Sequence, residues 1–290
     1  MANKKRERAF YENGSVLLEK LIASCNAKPI PIPTFSPQQL RQATNNFSPD
    51  LRVAGWYKGS LEGRIVLIQS LGCWPNKGIN DLAISAQMSG HSNVLKPIGC
   101  CLHTLSPISV FEFAANAQWQ IAHALSYPHT AFPRPVIHMN IQMRSILLDE
   151  HDVPKLSYFY DSVSIPEGET HILTGKVTEK ADVYGFGRIL LELLTGEHYR
   201  KIYRLTSGKD CTLVAYIHNR AQGSCINEIV DLAILAEDGE GGASLEHQLQ
   251  AVLDLALTCT GEDPQRRPAM VDVTKQLRRI ERFVPSLIIY

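Results

Sequence analysis

The sequence predicts an α+β protein of two lobes, a small one rich in strands followed by a larger one built of helices. Three observations predict it. Short apolar runs between turn signals crowd into residues 51 to 113, helical spacing dominates after about residue 118, and no internal repeat divides the chain.

Composition is permissive. The 290 residues are enough for one bilobal domain with a full apolar core, and 44% hydrophobic with 20% charged is ordinary for a globular chain. Lys plus Arg and Asp plus Glu are both 29, which argues against a globally basic nucleic-acid binder. Lys4, Lys5, Arg6 and Arg8 crowd the start and read first as a solvated terminus, with a lipid-headgroup contact as the lesser reading. No apolar run reaches the roughly 18 residues of a membrane span, the start has no signal-peptide core, and Ala2 replaces the Gly of the myristoylation pattern. Cys25, Cys73, Cys100, Cys101, Cys211, Cys225 and Cys259 make an odd set without C-x-x-C spacing, so they read as reduced core thiols.

The elements follow in order. Residues 10 to 25 read as an amphipathic helix, with Ser15 as its N-cap and Val16, Leu17, Leu18, Leu21, Ile22 and Cys25 as its apolar positions. Pro29, Pro31 and Pro33 stiffen a connector. Ser36, Pro37 and Gln39 form a capping box that starts a second helix. Residues 51 to 71 read as strands, Arg64 to Gln69 being fit for burial. A helix over 79 to 90, strands over 94 to 113, and helices near 118–127, 180–195, 211–221, 244–259 and 268–282 complete the pattern. Pro128 should end or kink the helix it falls in, since an interior proline costs about 3 kcal/mol or more. Glu237 to Gly242 is a solvated acidic loop.

Several motifs carry a resemblance. Thr178-Glu179-Lys180-Ala181-Asp182-Val183-Tyr184-Gly185-Phe186-Gly187 and Leu190 through Gly196 resemble the central C-lobe helix of plant receptor-like kinases. Asp263-Pro264-Gln265-Arg266-Arg267-Pro268 resembles their closing motif, and Phe35 through Phe47 their lead-in. His138-Met139-Asn140 through Ser145 has the outline of the catalytic loop H-R-D-x-x-x-x-N, and Lys155-Leu156-Ser157-Tyr158-Phe159-Tyr160 stands where K-L-S-D-F-G is expected. Phe10 to Ser15, Gly99 to Leu102, Val110 to Ala114, His129 to Pro133 and Ile165 to Gly168 narrow the likeness to the HopZ-ETI-deficient-type non-functional pseudokinases of plants.

That resemblance implies a protein-kinase-like fold with residues 1–46 as a helical extension and Pro-rich connector, 47–113 as the N-lobe, 114–283 as the C-lobe and 284–290 as a tail. It implies a short connection between Ala117 and Gln118 and a short activation segment between Ile172 and Thr174, with the A-P-E motif missing and Arg267 deprived of its usual partner. Gln69 takes the place of the phosphate-binding Lys, Asn140 that of the general base, and Ser145 and Tyr158 those of two metal ligands. Losing a general base alone typically costs about 10²–10⁴-fold in rate. Trp56 and Leu67 fall where smaller residues face adenine, only Gly55 remains of the glycine-rich loop, and Asp81 or Leu82 falls near the Glu of the following helix. His138, Phe159, Asp182 and Arg267 are the retained structural positions, read as packed or backbone-binding groups.

The function so implied is a catalytically inactive adaptor in plant innate immunity. No catalytic, metal-binding or cofactor site remains intact. The partners are a coiled-coil leucine-rich-repeat immune receptor and receptor-like cytoplasmic kinases modified by bacterial effectors. The location is cytoplasmic, with recruitment to the plasma membrane inside a complex. The alternatives are an atypical serine/threonine kinase that still binds ATP, and a degenerate paralogue without function.

Overall fold

Strand β3 (Arg64–Ser70) reads Arg-Ile-Val-Leu-Ile-Gln-Ser, and alternation sends its two sets of apolar side chains to opposite faces. Val66 and Ile68 join Leu40, Cys101, Ile108 and Val110 on one face, while Leu67 joins Trp56, Leu95 and Phe111 on the other. A strand buried on both faces belongs mid-sheet, and β3 lies there. The antiparallel sheet runs β1 (Arg52–Val53), β2 (Trp56–Leu61), β3, β5 (Ile108–Glu112), β4 (Pro97–Cys101). Glu62 and Gly63 turn β2 into β3 with φ of 51° and 77°, the paired positive angles of a tight two-residue hairpin, and Leu61 pairs Arg64 across it.

This computed structural model describes residues 2–24, 32–53, 55–70, 74–113, 121–151, 153–165, 178–197, 212–223, 225–231, 234 and 242–281. The chain forms two compact units, Met1–Glu169 and Thr170–Tyr290. The shortened connection near Ala117, the shortened segment near Ile172, the tail and nearly all of the acidic loop fall outside the described residues.

In the first unit, helix α1 (Ala2–Ser24) is longer than the sequence suggests, and Ser15 is exposed in its middle rather than at its N-cap. The extra turns are anchored. Ala9 is buried, Phe10 stacks on His103 with ring centroids 4.5 Å apart, and Asn13 Nδ2 donates to the carbonyls of Leu102 and Thr104, each at 2.9 Å. Leu17 closes the contact against Ile79, Leu82 and Leu102. Helix α2 (Pro37–Ala43) has the expected capping box: Ser36 Oγ accepts from the Gln39 N–H, and Gln39 Oε1 accepts from the Ser36 N–H. Helix α3 (Pro75–Met88) begins at its proline, four residues before the expected start, because proline costs nothing at a first helical position.

Helix α4 (Ile121–Thr130) corrects the expectation for Pro128, which lies inside it two residues before its end. Proline has no N–H to give the Ala124 carbonyl, so one bond of the ladder is lost there, and the helix ends two residues beyond it rather than at it. Four short strands follow. β6 (Val136–Ile137) pairs with β9 (Val163–Ser164), and β7 (Ile146–Leu148) with β8 (Pro154–Leu156), all antiparallel.

The second unit is helical where described: α5 (Lys180–Thr195), α6 (Leu213–Ala221), α7 (Ile226–Ile229), α8 (Gly242–Cys259) and α9 (Met270–Glu281). Thr212 caps α6 by accepting the Ala215 N–H, two residues after the expected start. α5 and α8 touch at Gly187, where an added Cβ would stand 2.6 Å from Cys259 Cβ and 2.9 Å from Thr260 Cγ2. Cys100, Cys101 and Cys259 are buried thiols, as expected, whereas Cys225 is exposed just ahead of α7.

Candidate functional site

The site is built on the inner face of the sheet and on two loops of the same unit. β2 supplies Trp56, β3 Leu67, β5 Phe111 and β7 Leu147, and these four pack with Leu95 and Tyr158 into one buried cluster. The Trp56 and Phe111 rings meet edge to face at 5.2 Å, and Trp56 and Tyr158 lie 5.2 Å apart at a tilt of 53°. Trp56 is 1% exposed. Tyr158 holds φ 66° and ψ 50°, a left-handed conformation costly for an aromatic residue, and so turns its ring into the cluster. Its hydroxyl would stand 3.2 Å from a Cβ on Gly55. Burial pushes the Tyr158 phenol up to about 12, with the Trp56 N–H acting the other way. Gln69 lies on the same face of β3 as Leu67, is 5% exposed, and pairs in register with Ser109.

The loop from Tyr158 to Ser162 is fastened to α3. Asp81 Oδ1 accepts the Phe159 N–H at 2.7 Å. Asn80 Nδ2 donates to the carbonyls of Phe159 (3.1 Å), Tyr160 (3.3 Å) and Ser162 (2.9 Å). Lys77 Nζ pairs with Asp161 Oδ1 at 2.5 Å and lies 5.5 Å from the ring centres of Trp74 and Tyr160. From α1, Lys20 Nζ donates to Asn80 Oδ1 at 2.9 Å. Asp81 is 1% exposed, and burial raises its carboxyl to about 7 against the Phe159 N–H and the Ser85 hydroxyl, which act the other way. Of Asp81 and Leu82, it is Asp81 that faces the loop, while Leu82 is core.

The neighbouring loop is held by its own side chains. His138 is fully buried; its Nε2 lies 2.9 Å from the Ser157 carbonyl and its Nδ1 accepts the Asn140 N–H at 3.3 Å. Only the neutral tautomer with hydrogen on Nε2 satisfies both contacts. Its ring packs 4.8 Å from Phe159. Asn140 Nδ2 donates to the Tyr160 hydroxyl (2.8 Å) and to Asp161 Oδ2 (3.3 Å), while its Oδ1 accepts from Gln142. Ser145 Oγ donates to the Gln142 carbonyl at 2.6 Å and accepts the Gln142 N–H at 3.1 Å, which closes a tight turn. Among the described residues no group of three or more His, Cys, Asp or Glu is placed to hold a metal ion.

In the second unit, Asp182 is buried in the first turn of α5. Arg267, expected to stand without a partner, donates from Nε to the Gly261 carbonyl (2.8 Å) and from Nη1 to the Lys180 carbonyl (3.2 Å), and lies over the Tyr184 ring at 4.8 Å. Carbonyls and a ring take the place of a carboxylate.

Sequence reasoning brought Trp56 and Leu67 to one place and read His138 and Phe159 as packed structural positions, but it did not place Tyr158 in the same cluster. It missed Lys77, Asn80, Asp161 and Lys20. The available signal was Asn80-Asp81, a polar pair inside an apolar helical pattern, which has to face something polar when buried.

Comparison with known proteins places the chain. It is 34% identical to the non-functional pseudokinase ZED1 of Arabidopsis thaliana, over 97% of this chain and 98% of that protein. The chain belongs to the ZED1-related pseudokinase family. It is also 33% identical to the serine/threonine-protein kinase ZRK1 (96% of this chain, 93% of that one) and 32% identical to the non-functional pseudokinase ZRK2 (96% and 91%), both from Arabidopsis thaliana. The ZED1-related family thus includes members named pseudokinases and members named kinases, and gives this chain its bilobal kinase-like α+β fold. The match to ZED1 runs over 336 positions, more than the 290 residues of this chain, so ZED1 has residues inside the span with no counterpart here. No protein-family model matches the chain. No described helix is long and apolar enough to cross a membrane.

Proposed function

We propose that this chain is a catalytically inactive, kinase-like adaptor in plant innate immunity, linking a coiled-coil leucine-rich-repeat immune receptor to effector-modified receptor-like cytoplasmic kinases. The observation that carries the inactive half is the buried cluster of Trp56, Leu67, Phe111, Leu147 and Tyr158 on the inner face of the sheet. In this reading the cluster occupies the volume a nucleotide base would need, and Trp56 and Leu67 are its plugs.

The polar residues support the same reading. Gln69, Asn140, Ser145 and Tyr158 are the degenerate positions. Gln69 brings no positive charge for phosphate, and the amide of Asn140 is too weak a base to take a hydroxyl proton. Ser145 spends its hydroxyl on a turn, and Tyr158 offers a phenol pushed up to about 12. His138, Phe159, Asp182 and Arg267 keep the fold's skeleton in place. In an active kinase a Lys–Glu pair to α3 holds the phosphates. Here the α3 carboxylate of Asp81 holds the Phe159 N–H instead, so the loop is closed without ligand.

The adaptor half rests on family membership and on the resemblance to the HopZ-ETI-deficient-type proteins. It puts the protein in the cytoplasm, carried to the plasma membrane within its complex. Two experiments separate the halves. Co-precipitation with leucine-rich-repeat receptors of the same plant tests the adaptor, and absence of binding to each of them rejects it. A radiolabelled-phosphate transfer assay tests inactivity. The kinase name of ZRK1 favours the second reading, an atypical serine/threonine kinase that retains ATP, and transfer above background would establish it.

A further inference from the structure

The half-buried Tyr160 is held from several sides, all within the first unit. Tyr158 meets its ring edge to face with centroids 5.7 Å apart, and Lys77 Nζ, itself paired with Asp161, lies 5.5 Å from its centre. Its carbonyl accepts from Asn80 Nδ2 at 3.3 Å, which pins the backbone. Its hydroxyl accepts from Asn140 Nδ2 at 2.8 Å. Asn140 is occupied on both sides of its amide, since Nδ2 also donates to Asp161 Oδ2 at 3.3 Å and Oδ1 accepts from Gln142. An acceptor hydroxyl in phosphoryl transfer has to come within about 2.6–3.2 Å of the group at the general-base position. The Tyr160 hydroxyl already stands at that distance from Asn140. Position 160 is also where the expected motif ends in Gly, which has no side chain to put there.

We propose that Tyr160 is a built-in pseudosubstrate, its hydroxyl filling the place where the hydroxyl of an acceptor protein would meet residue 140. This rests on the inactive-kinase reading, in which Asn140 stands for the general base, and adds a second closure to it. Trp56 and Leu67 fill the nucleotide end with apolar bulk. Tyr160 shuts the acceptor end by a hydrogen bond to Asn140 and a cation over its ring. The two closures use different bonds, so emptying the aromatic cluster would admit a nucleotide without admitting an acceptor. The Tyr160 phenol is not itself consumed, because the Asn140 amide cannot take its proton.

The test is acetylation of tyrosines on the full chain by N-acetylimidazole, with each site read by mass spectrometry. Tyr11, 73% exposed, is the free reference, and Tyr158, 8% exposed, reports that the chain stays folded. Tyr160 should react about tenfold or more slowly than Tyr11 in the parent chain. Asn140→Ala removes the donor and should speed Tyr160 about fivefold while Tyr158 stays protected. Asn140→Asp keeps a partner for the hydroxyl and should keep the protection. Tyr160 as reactive as Tyr11 in the parent chain would overturn the proposal, as would a Tyr160 rate unchanged by Asn140→Ala or protection lost in Asn140→Asp. A reactive Tyr160 in a chain that transfers no phosphate rejects this closure alone, whereas phosphate transfer to an added serine peptide rejects it together with the inactive reading.

Discussion

Lys20 on α1 donates to Asn80 Oδ1 on α3, and that contact decides which way the Asn80 amide faces. With its oxygen held by the ammonium, the amide nitrogen can only point at the three carbonyls of Phe159, Tyr160 and Ser162. An N-terminal helix therefore orients a residue that closes the loop from 158 to 162. Asn80→Ala leaves those carbonyls without their donor and should cost about 1–3 kcal/mol, whereas Lys20→Met should cost about 1 kcal/mol or less. Urea unfolding of both variants measures the difference, and equal midpoints would deny Asn80 its role.

Asp81 gives the fold a pH dependence of known sign. Burial raises its carboxyl to about 7, well above the usual value, so the folded state binds the proton more tightly than the unfolded chain. The resulting stabilisation is complete at acid pH, below the unfolded value, and is lost as pH rises through about 7. Asp81→Asn keeps an oxygen for the Phe159 N–H and removes the ionisation. Thermal unfolding from pH 5 to 8 should fall with pH in the parent chain and fall less in the variant. Parallel curves would show that Asp81 does not titrate in this range.

Adjacent leucines on α1 separate core from surface. Leu17 is 6% exposed and packed on α3, so Leu17→Glu buries a charge and should cost about 3 kcal/mol or more. Leu18→Glu should change stability by no more than about 0.5 kcal/mol. Midpoints of chemical unfolding check both. The same contrast shows that a glutamate at Leu17 would read out folding rather than docking in any binding assay.

Gly187 is the point of contact between α5 and α8. A methyl group there meets Cys259 Cβ at 2.6 Å and the Ala256 carbonyl at 3.0 Å, both on a packed helix that yields little. Gly187→Ala should cost about 1–3 kcal/mol. A variant as stable as the parent would mean that α5 and α8 sit farther apart than described.

The fold was legible where its determinants are local. The Ser36 capping box, the strand run from Arg64 to Gln69 and the helix over 180–195 each carry their own start, stop or period. Ser15 misled because tertiary contact outweighed the local preference, Ala9 and Phe10 anchoring turns before it, whereas Pro128 misled by only two residues, since α4 ends at Thr130. The packing of Trp56 with Leu67 could be anticipated from motif positions. The Lys20–Asn80 and Lys77–Asp161 contacts could not, because they span 60 and 84 residues between elements whose register only packing decides.

The central claim is that the interior where a nucleotide would sit is occupied by Trp56, Leu67 and Tyr158 and closed by α3. Thermal unfolding of the full chain with and without millimolar ATP and Mg²⁺ tests it most directly. Ligand at 100 times its Kd adds about 2.7 kcal/mol and raises the midpoint measurably. The account predicts one sharp transition that the nucleotide does not move; a midpoint that climbs with ATP concentration would contradict it.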